Sequence, residues 1–240
     1  FENLRIDNYN SSTHEPITGD VVENNIFTNV AGTAIYLRDG RDAPGVYSTG
    51  VNISNNKIDP TTSAGSVDYN AGTGIIIFGA EASTISNNVI LSAAYNGIQL
   101  ARCNEMTISG NIATGAAQPA LQIAQWNDGT FTISGNTFST TSTTKAAVRL
   151  YGFTNSYYPL FNFTGNTIQD SKYAFQIGHG DPGKGLNDIR DADYSFSGNT
   201  FTNVSSHRLI IYLAAEATVD EKAEMDALFA QLFGAGNTAT

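Results

Sequence analysis

One asparagine, set second in a bend and written again every few tens of residues, constrains this chain more than anything else in it. The phrases VVENNIF (21–27), VNISNNKI (51–58), TISNNVI (84–90), MTISGNI (106–112), FTISGNTF (131–138), FNFTGNTI (161–168) and YSFSGNTF (194–201) place it at Asn25, Asn56, Asn88, Asn111, Asn136, Asn166 and Asn199. Subtracting neighbours gives gaps of 31, 32, 23, 25, 30 and 33 residues. One strand followed by Gly-Asn reads as a hairpin turn. The same phrase at this period reads as one turn of a solenoid.

A second phrase follows each corner: GTAIYLR (32–38), GTGIIIF (72–78), NGIQLAR (96–102), PALQIAQ (119–125), AAVRLYG (146–152), YAFQIGH (173–179) and RLIIYLA (208–214). Each alternates with period two, and most open on a small residue, as a short strand does. A repeat is therefore a strand, an asparagine corner, a short strand, a variable loop and another strand. Coils of this kind stack at the inter-strand spacing of roughly 4.8 Å. An asparagine inside the bend can hydrogen-bond to its counterparts above and below, forming a ladder that holds register. The Asn or Gly before it tolerates a left-handed backbone. Seven unrelated turn asparagines are the alternative, and the recurring flanks argue against it.

The pattern resembles the right-handed parallel β-helix of the pectate-lyase superfamily, with short repeats of the [V/F]-x-I-S-[N/G]-N-x-I kind, over residues 21–213. The resemblance implies an all-β, single-stranded, right-handed parallel β-helix of about seven coils. The expected layout is an irregular segment over 1–20, the β-helix over 21–217, an amphipathic helix over 218–233 and a tail over 234–240. The helix is read from a capping box, Thr218 with Glu221. A stripe of Ala223, Leu228, Phe229, Leu232 and Phe233 follows, stopped by Gly234. That helix could cover the last coil or make an oligomer or inter-domain contact. Lyases, hydrolases, epimerases, tailspikes and adhesins all use such a fold, so the site must carry the function.

Composition narrows the partners. Charged residues make up 14% of the chain, against roughly 25% in ordinary soluble domains, and Asn, Ser, Thr and Gly take their place. A net charge of −10 argues against nonspecific binding to nucleic acid or anionic membrane. No apolar run approaches the roughly 20 residues of a membrane span. Low lysine and the sequons at Asn10, Asn52, Asn162 and Asn203 fit a secreted or cell-surface protein. The start at Phe1, in mid-phrase and without Met, suggests a piece of a longer chain with further domains.

Alternation in the second strand turns Ile98, Leu100, Leu121, Ile123, Val148, Leu150, Phe175 and Ile177 inward. Tyr36, Arg38, Ile76, Phe78, Gln99, Gln122, Arg149, Tyr151 and Gln176 then face outward, with Asp39, Arg102, Gln125, Trp126 and His179 just past the strand ends. The resemblance implies glycan binding along this strand and its loops. Tyr36, Arg38, Gln99, Arg102, Gln122, Trp126 and Gln176 are the candidate substrate contacts, because aromatics stack on sugars and arginine pairs with carboxylates. That combination points to a uronate-containing polysaccharide. An exposed strand face with scattered long side chains is the plain alternative.

Cleaving or epimerising such a polymer at C5 needs carboxylate neutralisation, a base and an acid. Arg149, with Gln122 or Gln176, is the candidate neutraliser, and Tyr151 and His179 are the candidate acid and base. Mannuronan epimerases carry Asp-Pro-His beside a catalytic Tyr, and GHGDPG (178–183) has those residue types in another order. Gly178-His179-Gly180 matches a polygalacturonase motif, but the Asn-Thr-Asp and Asp-Asp carboxylate motifs are missing, so glycoside hydrolysis is not expected. No cofactor is firmly implied. Asp181, Asp188 and Asp191 in the loop 180–193 are hard oxygen ligands suited to Ca²⁺, although their spacing matches neither an EF-hand loop nor the Gly-rich nonapeptide calcium repeat. A solvated loop with turn-capping aspartates is the alternative. His14 and His207 lack neighbours at zinc-ligand spacing. Cys103 reads as a small buried filler. The rival to polysaccharide chemistry is a rigid structural or adhesive segment of a surface layer, adhesin or tailspike.

Overall fold

A computed structural model describes residues 4–7, 18–38, 47–63, 71–124, 127–151, 158–178, 192–211, 227, 230 and 236–239. All strand pairs among them are parallel, and consecutive coils pair at every step. Three sheets run along the stack. The leading sheet, before each corner, holds Val21–Glu23, Asn52–Ser54, Ala80–Ser86, Asn104–Ser109, Thr130–Ser134, Leu160–Thr164 and Asp193–Ser197. The trailing sheet, after it, holds Ile26–Ala31, Lys57–Thr62, Val89–Leu91, Ile112–Ala116 and Thr137–Thr140. The third sheet carries the second phrase: Leu4–Asp7, Ile35–Arg38, Ile75–Phe78, Ile98–Ala101, Leu121–Ala124 and Val148–Tyr151. Thr167–Ile177 and Thr200–Ile211 run unbroken through the trailing and third sheets.

Corner geometry follows from residue type. The residue before each corner asparagine has φ of 58, 55 and 53° at Asn24, Asn55 and Asn87. It lies between 62 and 69° at Gly110, Gly135, Gly165, Gly198 and Gly236. Asn and Gly are the residues that accept this left-handed backbone at little cost.

The corner asparagines form one hydrogen-bonded column. Asn56 Nδ2 donates to Asn88 Oδ1 at 3.0 Å and to the Val22 carbonyl of the preceding coil at 2.8 Å. Asn56 Oδ1 in turn accepts from the backbone N (3.1 Å) and Nδ2 (3.0 Å) of Asn25. The same set recurs through Asn88, Asn111, Asn136 and Asn166. Asn56, Asn88, Asn111, Asn136, Asn166 and Asn199 are all buried, so these bonds replace the water their amides would otherwise need.

The column is longer than the seven phrases. Asn237, in the segment 234–240 expected to be a tail, accepts from Asn199 N at 2.8 Å and Nδ2 at 3.0 Å. Thr238–Ala239 then pairs with the strand begun by Thr200. At the other end, the segment expected to be irregular supplies Leu4–Asp7, which pairs residue for residue with Ile35–Arg38. The expected helix over 218–233 falls outside the described residues apart from Ala227 and Ala230.

The core lies between the three sheets and changes character along the axis. Ile53, Ile85, Ile108 and Ile133 stack in one leading-sheet column that continues as Phe163 and Phe196. The last two rings lie 5.3 Å apart and 13° from parallel. Phe161 stacks on Tyr194 at 5.6 Å and meets Phe131 at 5.1 Å, tilted by 41°. Aliphatic coils therefore give way to aromatic ones toward the C-terminus.

Replacing Asn136 by Ala orphans the donors of Asn111 and the carbonyl of Ile108, a loss of about 3 kcal/mol or more. Asn237→Ala, at a half-buried terminal rung, should lower the urea midpoint by less than half as much. Equal midpoints for the two variants would show that the column does not set stability.

Candidate functional site

Register on the third sheet brings the outward residues into two columns. The first runs Arg5, Tyr36, Ile76, Gln99, Gln122, Arg149, Gln176. The second runs Asp7, Arg38, Phe78, Ala101, Ala124, Tyr151, so a carboxylate stands next to Arg38 in register. Neighbours along a column are about 4.8 Å apart, and the columns are separated by two residues of strand, about 6.6 Å.

The middle of this outer face is covered. Ile76, Gln99, Gln122 and Gln176 are 0, 3, 4 and 1% exposed, although all point away from the core. Ala101 and Ala124, in the second column, are buried as well. Gln99 Oε1 accepts from Asn96 Nδ2 at 2.8 Å, and Gln176 Nε2 donates to the Gly178 carbonyl at 3.4 Å. Asn96 Oδ1 and Gln176 Oε1 are buried with no hydrogen-bond partner, so each can still accept from a donor. Arg38, Phe78, Arg102, Arg149 and Tyr151 are half-buried, and Arg5 is exposed.

These accessible groups gather into two guanidinium–ring clusters. Arg149 places its guanidinium 4.1 Å from the Tyr151 ring centroid, which swings its charge from the first column to the second. Toward the other end of the sheet, four coils from Arg149, Tyr36 lies beneath Arg5 at 4.9 Å, and its ring is 6.2 Å from Phe78 at 55°. Cation–π pairs of this sort hold a guanidinium in place over a ring. Between the clusters stands Arg102, the one cation among the described residues held at positive φ, 55°. Gly79 takes the same place one coil earlier, with φ of 80°. A left-handed arginine costs roughly 1–2 kcal/mol, so surrounding structure must fix it there.

Of the sequence candidates, register thus places Tyr36, Arg38, Gln99, Gln122, Arg149, Tyr151 and Gln176 on one face, with Arg102 at its edge. Gln99, Gln122 and Gln176 are too covered to meet a polymer directly, and Tyr36 is buried beneath Arg5. Trp126, His179, Asp181, Asp188 and Asp191 lie outside the described residues. Arg5 is the residue that sequence reasoning missed. Its signal is the alternation Leu4-Arg5-Ile6-Asp7 inside a segment expected to be irregular. From Tyr36 to Gly178 the two columns carry no carboxylate among the described residues. No group of three His, Cys, Asp or Glu side chains among them could hold a metal ion. No helix among them is long and apolar enough to cross a membrane.

Cys103 sits behind this edge, fully buried. Its Sγ donates to the Ala101 carbonyl at 3.3 Å. Burial disfavours the thiolate and pushes the thiol from its ordinary 9.0 to about 12, outweighing the backbone donors around it.

Residues 1–168 match the family described as right handed beta helix region, and the chain belongs to that family. Among solved structures, it is similar to the catalytic unit of a thermostable GH87 α-1,3-glucanase from Streptomyces thermodiastaticus strain HF3-3. That match has 15% identity and a TM-score of 0.52 over 93% of this chain and 43% of the glucanase. This chain therefore spans less than half the length of that enzyme unit. A second match is the A-module of mannuronan C-5 epimerase AlgE6 from Azotobacter vinelandii, at 13% identity and a TM-score of 0.28, over 93% of this chain and 75% of that one. At these identities the glucanase supports the fold alone. No curated protein sequence matches.

The buried thiol sets a pH dependence. Its folded value lies above its unfolded one, so its contribution is complete below about 9 and is lost as pH rises toward about 12. Across that window the urea midpoint of the parent should fall more steeply than that of Cys103→Ala. A thiol reagent should label Cys103 only after unfolding. Rapid labelling of the native protein would contradict its burial.

Proposed function

We propose that this right-handed β-helix binds an acidic, uronate-containing polysaccharide along the outer edge of its third sheet, as a secreted or cell-surface protein. The observation that carries this is the Arg149–Tyr151 pair, matched three to five coils away by Phe78, Tyr36, Arg38 and Arg5. A chain of net charge −10 repels polyanions in general, so affinity for one has to come from a local line of cations. Rings beside them supply flat apolar platforms for pyranose faces, and guanidinium forks pair with carboxylates. The glucanase of the same fold acts, by its name, on a polysaccharide, which is in keeping with an elongated ligand here.

Turnover at C5 would use the same residues. Arg149 neutralises the carboxylate, which makes the C5 proton removable, and Tyr151 lies two residues along on the same side. In β-elimination the C5 proton passes to the base, the C4–O bond breaks and an acid protonates the departing oxygen. Epimerisation instead returns a proton to the opposite face. His179, next in sequence after Gly178, is the second candidate for these proton transfers. The sequence lacks the Asn-Thr-Asp and Asp-Asp motifs, which favours lyase or epimerase chemistry over acid–base glycoside hydrolysis. The covered neutral middle favours the alternative in which the protein holds a polymer, as an adhesive or structural segment, without cleaving it.

Calorimetric titration with alginate, pectate and glucuronan fragments tests the binding. Arg149→Ala should weaken it roughly tenfold, the size of one charge-assisted pair. Tyr151→Phe should keep binding but abolish any rise in ultraviolet absorbance from unsaturated uronate, or any C5 inversion seen by NMR. Unchanged binding and turnover in both variants would end this reading. A flat absorbance trace and unchanged NMR spectra with binding intact would select the non-catalytic form.

A further inference from the structure

We infer that the outer face of the leading sheet binds ice, taking an ordered water lattice as its ligand. The inference is independent of the acidic-polysaccharide reading, which concerns the third sheet.

One short motif builds this face. TIS (84–86), TIS (107–109), TIS (132–134), NFT (162–164) and SFS (195–197) stack in register, each with its middle residue buried in the core. The flanking hydroxyl and amide side chains therefore face outward in two parallel columns, and all are half-buried or exposed. Pairing runs residue for residue through these strands, whereas the trailing sheet shifts register between Ala113 and Ala116. The leading face is the regular one.

Its hydroxyls are left to water. Elsewhere in the chain Thr61, Ser83, Thr140 and Ser171 all donate to backbone carbonyls. Among the described residues, the side chains of the five motifs make one hydrogen bond, Thr164 with Ser197 at 3.4 Å. A strand spacing of about 4.8 Å separates neighbours along a column. That is too far for a good hydroxyl–hydroxyl bond, but one water fits between. Two bonds of about 2.8 Å meeting at the tetrahedral angle span about 4.6 Å. Second neighbours in the tetrahedral network of ice are separated in just this way, so each column offers anchoring points at the repeat of the lattice.

A second observation comes from the coil before Thr84, where the columns continue through Asn52 and Ser54. Asn52 Oδ1 is sealed from solvent without a hydrogen-bond partner, and Ser54, 6% exposed, makes no side-chain bond. Buried polar groups in this state call for a partner from outside the protein. Charge agrees with a neutral ligand. On a chain of net charge −10, neither column holds a charged side chain from Asn52 to Ser197. Glu105 and Asp193 stand two residues before the first column, and Glu23 lies one coil beyond the end of the second. No aromatic side chain stands in either column, which sets this face apart from a platform for sugar rings.

Ice itself is the probe. A slowly growing ice crystal should take up the protein from solution, and recrystallisation in a frozen sucrose solution should slow in its presence. Thr107→Tyr, which raises a ring from the centre of the array, should abolish both effects. Thr107→Val, which keeps the shape without the hydroxyl, should weaken them. Thr28→Tyr, on the exposed outer side of the trailing sheet, should leave both intact. Circular dichroism of each variant checks that the strands are intact. Exclusion of the parent protein from growing ice would overturn the inference, as would equal uptake of the parent and Thr107→Tyr. Retention on crystalline cellulose or chitin that Thr107→Tyr removes, with no uptake into ice, would also overturn it and assign the face to a sugar lattice. None of these results bears on the titrations with uronate fragments, so the two readings fail separately.

Discussion

The amide of the corner asparagine is the interaction on which the rest of this structure depends. Its side chain donates to the next coil and to the previous one while accepting from two donors. A solenoid built from short parallel strands has few other means of fixing where one coil sits over the next. Backbone pairing alone is satisfied by a slip along the strand. A slip of one residue would turn the whole inward set of Ile and Phe outward. A buried amide misplaced by that distance would leave several polar groups without partners, a cost that the slipped packing could not recover. Register at one corner then propagates around the coil, because both flanking strands begin within a residue or two of it.

Everything proposed for the outer edge is a consequence of that register. The corner spacing varies from 23 to 33 residues over the first seven asparagines, yet the third-sheet strands align residue for residue. Insertions are absorbed between the strands, so the columns stay straight while the connections differ. Side chains distant in sequence, such as Arg38 and Arg149, are thereby placed on one line at fixed multiples of a strand spacing. The fold supplies a ruler, and the residue type at each mark decides what is measured. On the inside of the same coils the requirement is volume, met by isoleucine in early coils and phenylalanine in late ones.

Much of this was legible from sequence because the periodicities are strong and coincide. Seven corners, the Asn or Gly before each, and the inward and outward sets of the second strand are all in the letters. Three things were not. Leu4–Asp7 is too short to stand out, with no corner asparagine before it to mark it. Asn237 lies 38 residues after Asn199, longer than any earlier gap, and Thr-Ala-Thr rather than Ile or Phe follows it. The cover over Gln99, Gln122 and Gln176 was out of reach for a different reason. Alternation tells which way a side chain points but not what lies on top of it. That is why the accessible part of the face proved to be its edge, with Arg5 added to it.

The corner asparagines have one more property, which concerns time rather than stability. Asparagine ages by attack of the following backbone nitrogen on its own side-chain carbonyl, closing a succinimide ring that opens to aspartate. In this column the following nitrogens are occupied: those of Lys57, Val89, Ile112, Thr137, Thr167, Thr200 and Thr238 each donate to a carbonyl of the preceding coil. From Asn56 to Asn237 the side-chain carbonyls are held by two donors each, and most of the following residues are β-branched and crowd the approach. Even Asn96-Gly97, the pairing most prone to this chemistry, is buried, with the Gly97 nitrogen bonded to the Pro119 carbonyl at 3.1 Å. The bonds that set the register therefore also slow deamidation at the corners from Asn56 to Asn199, so the same contacts that hold the stack in place protect its chemistry there.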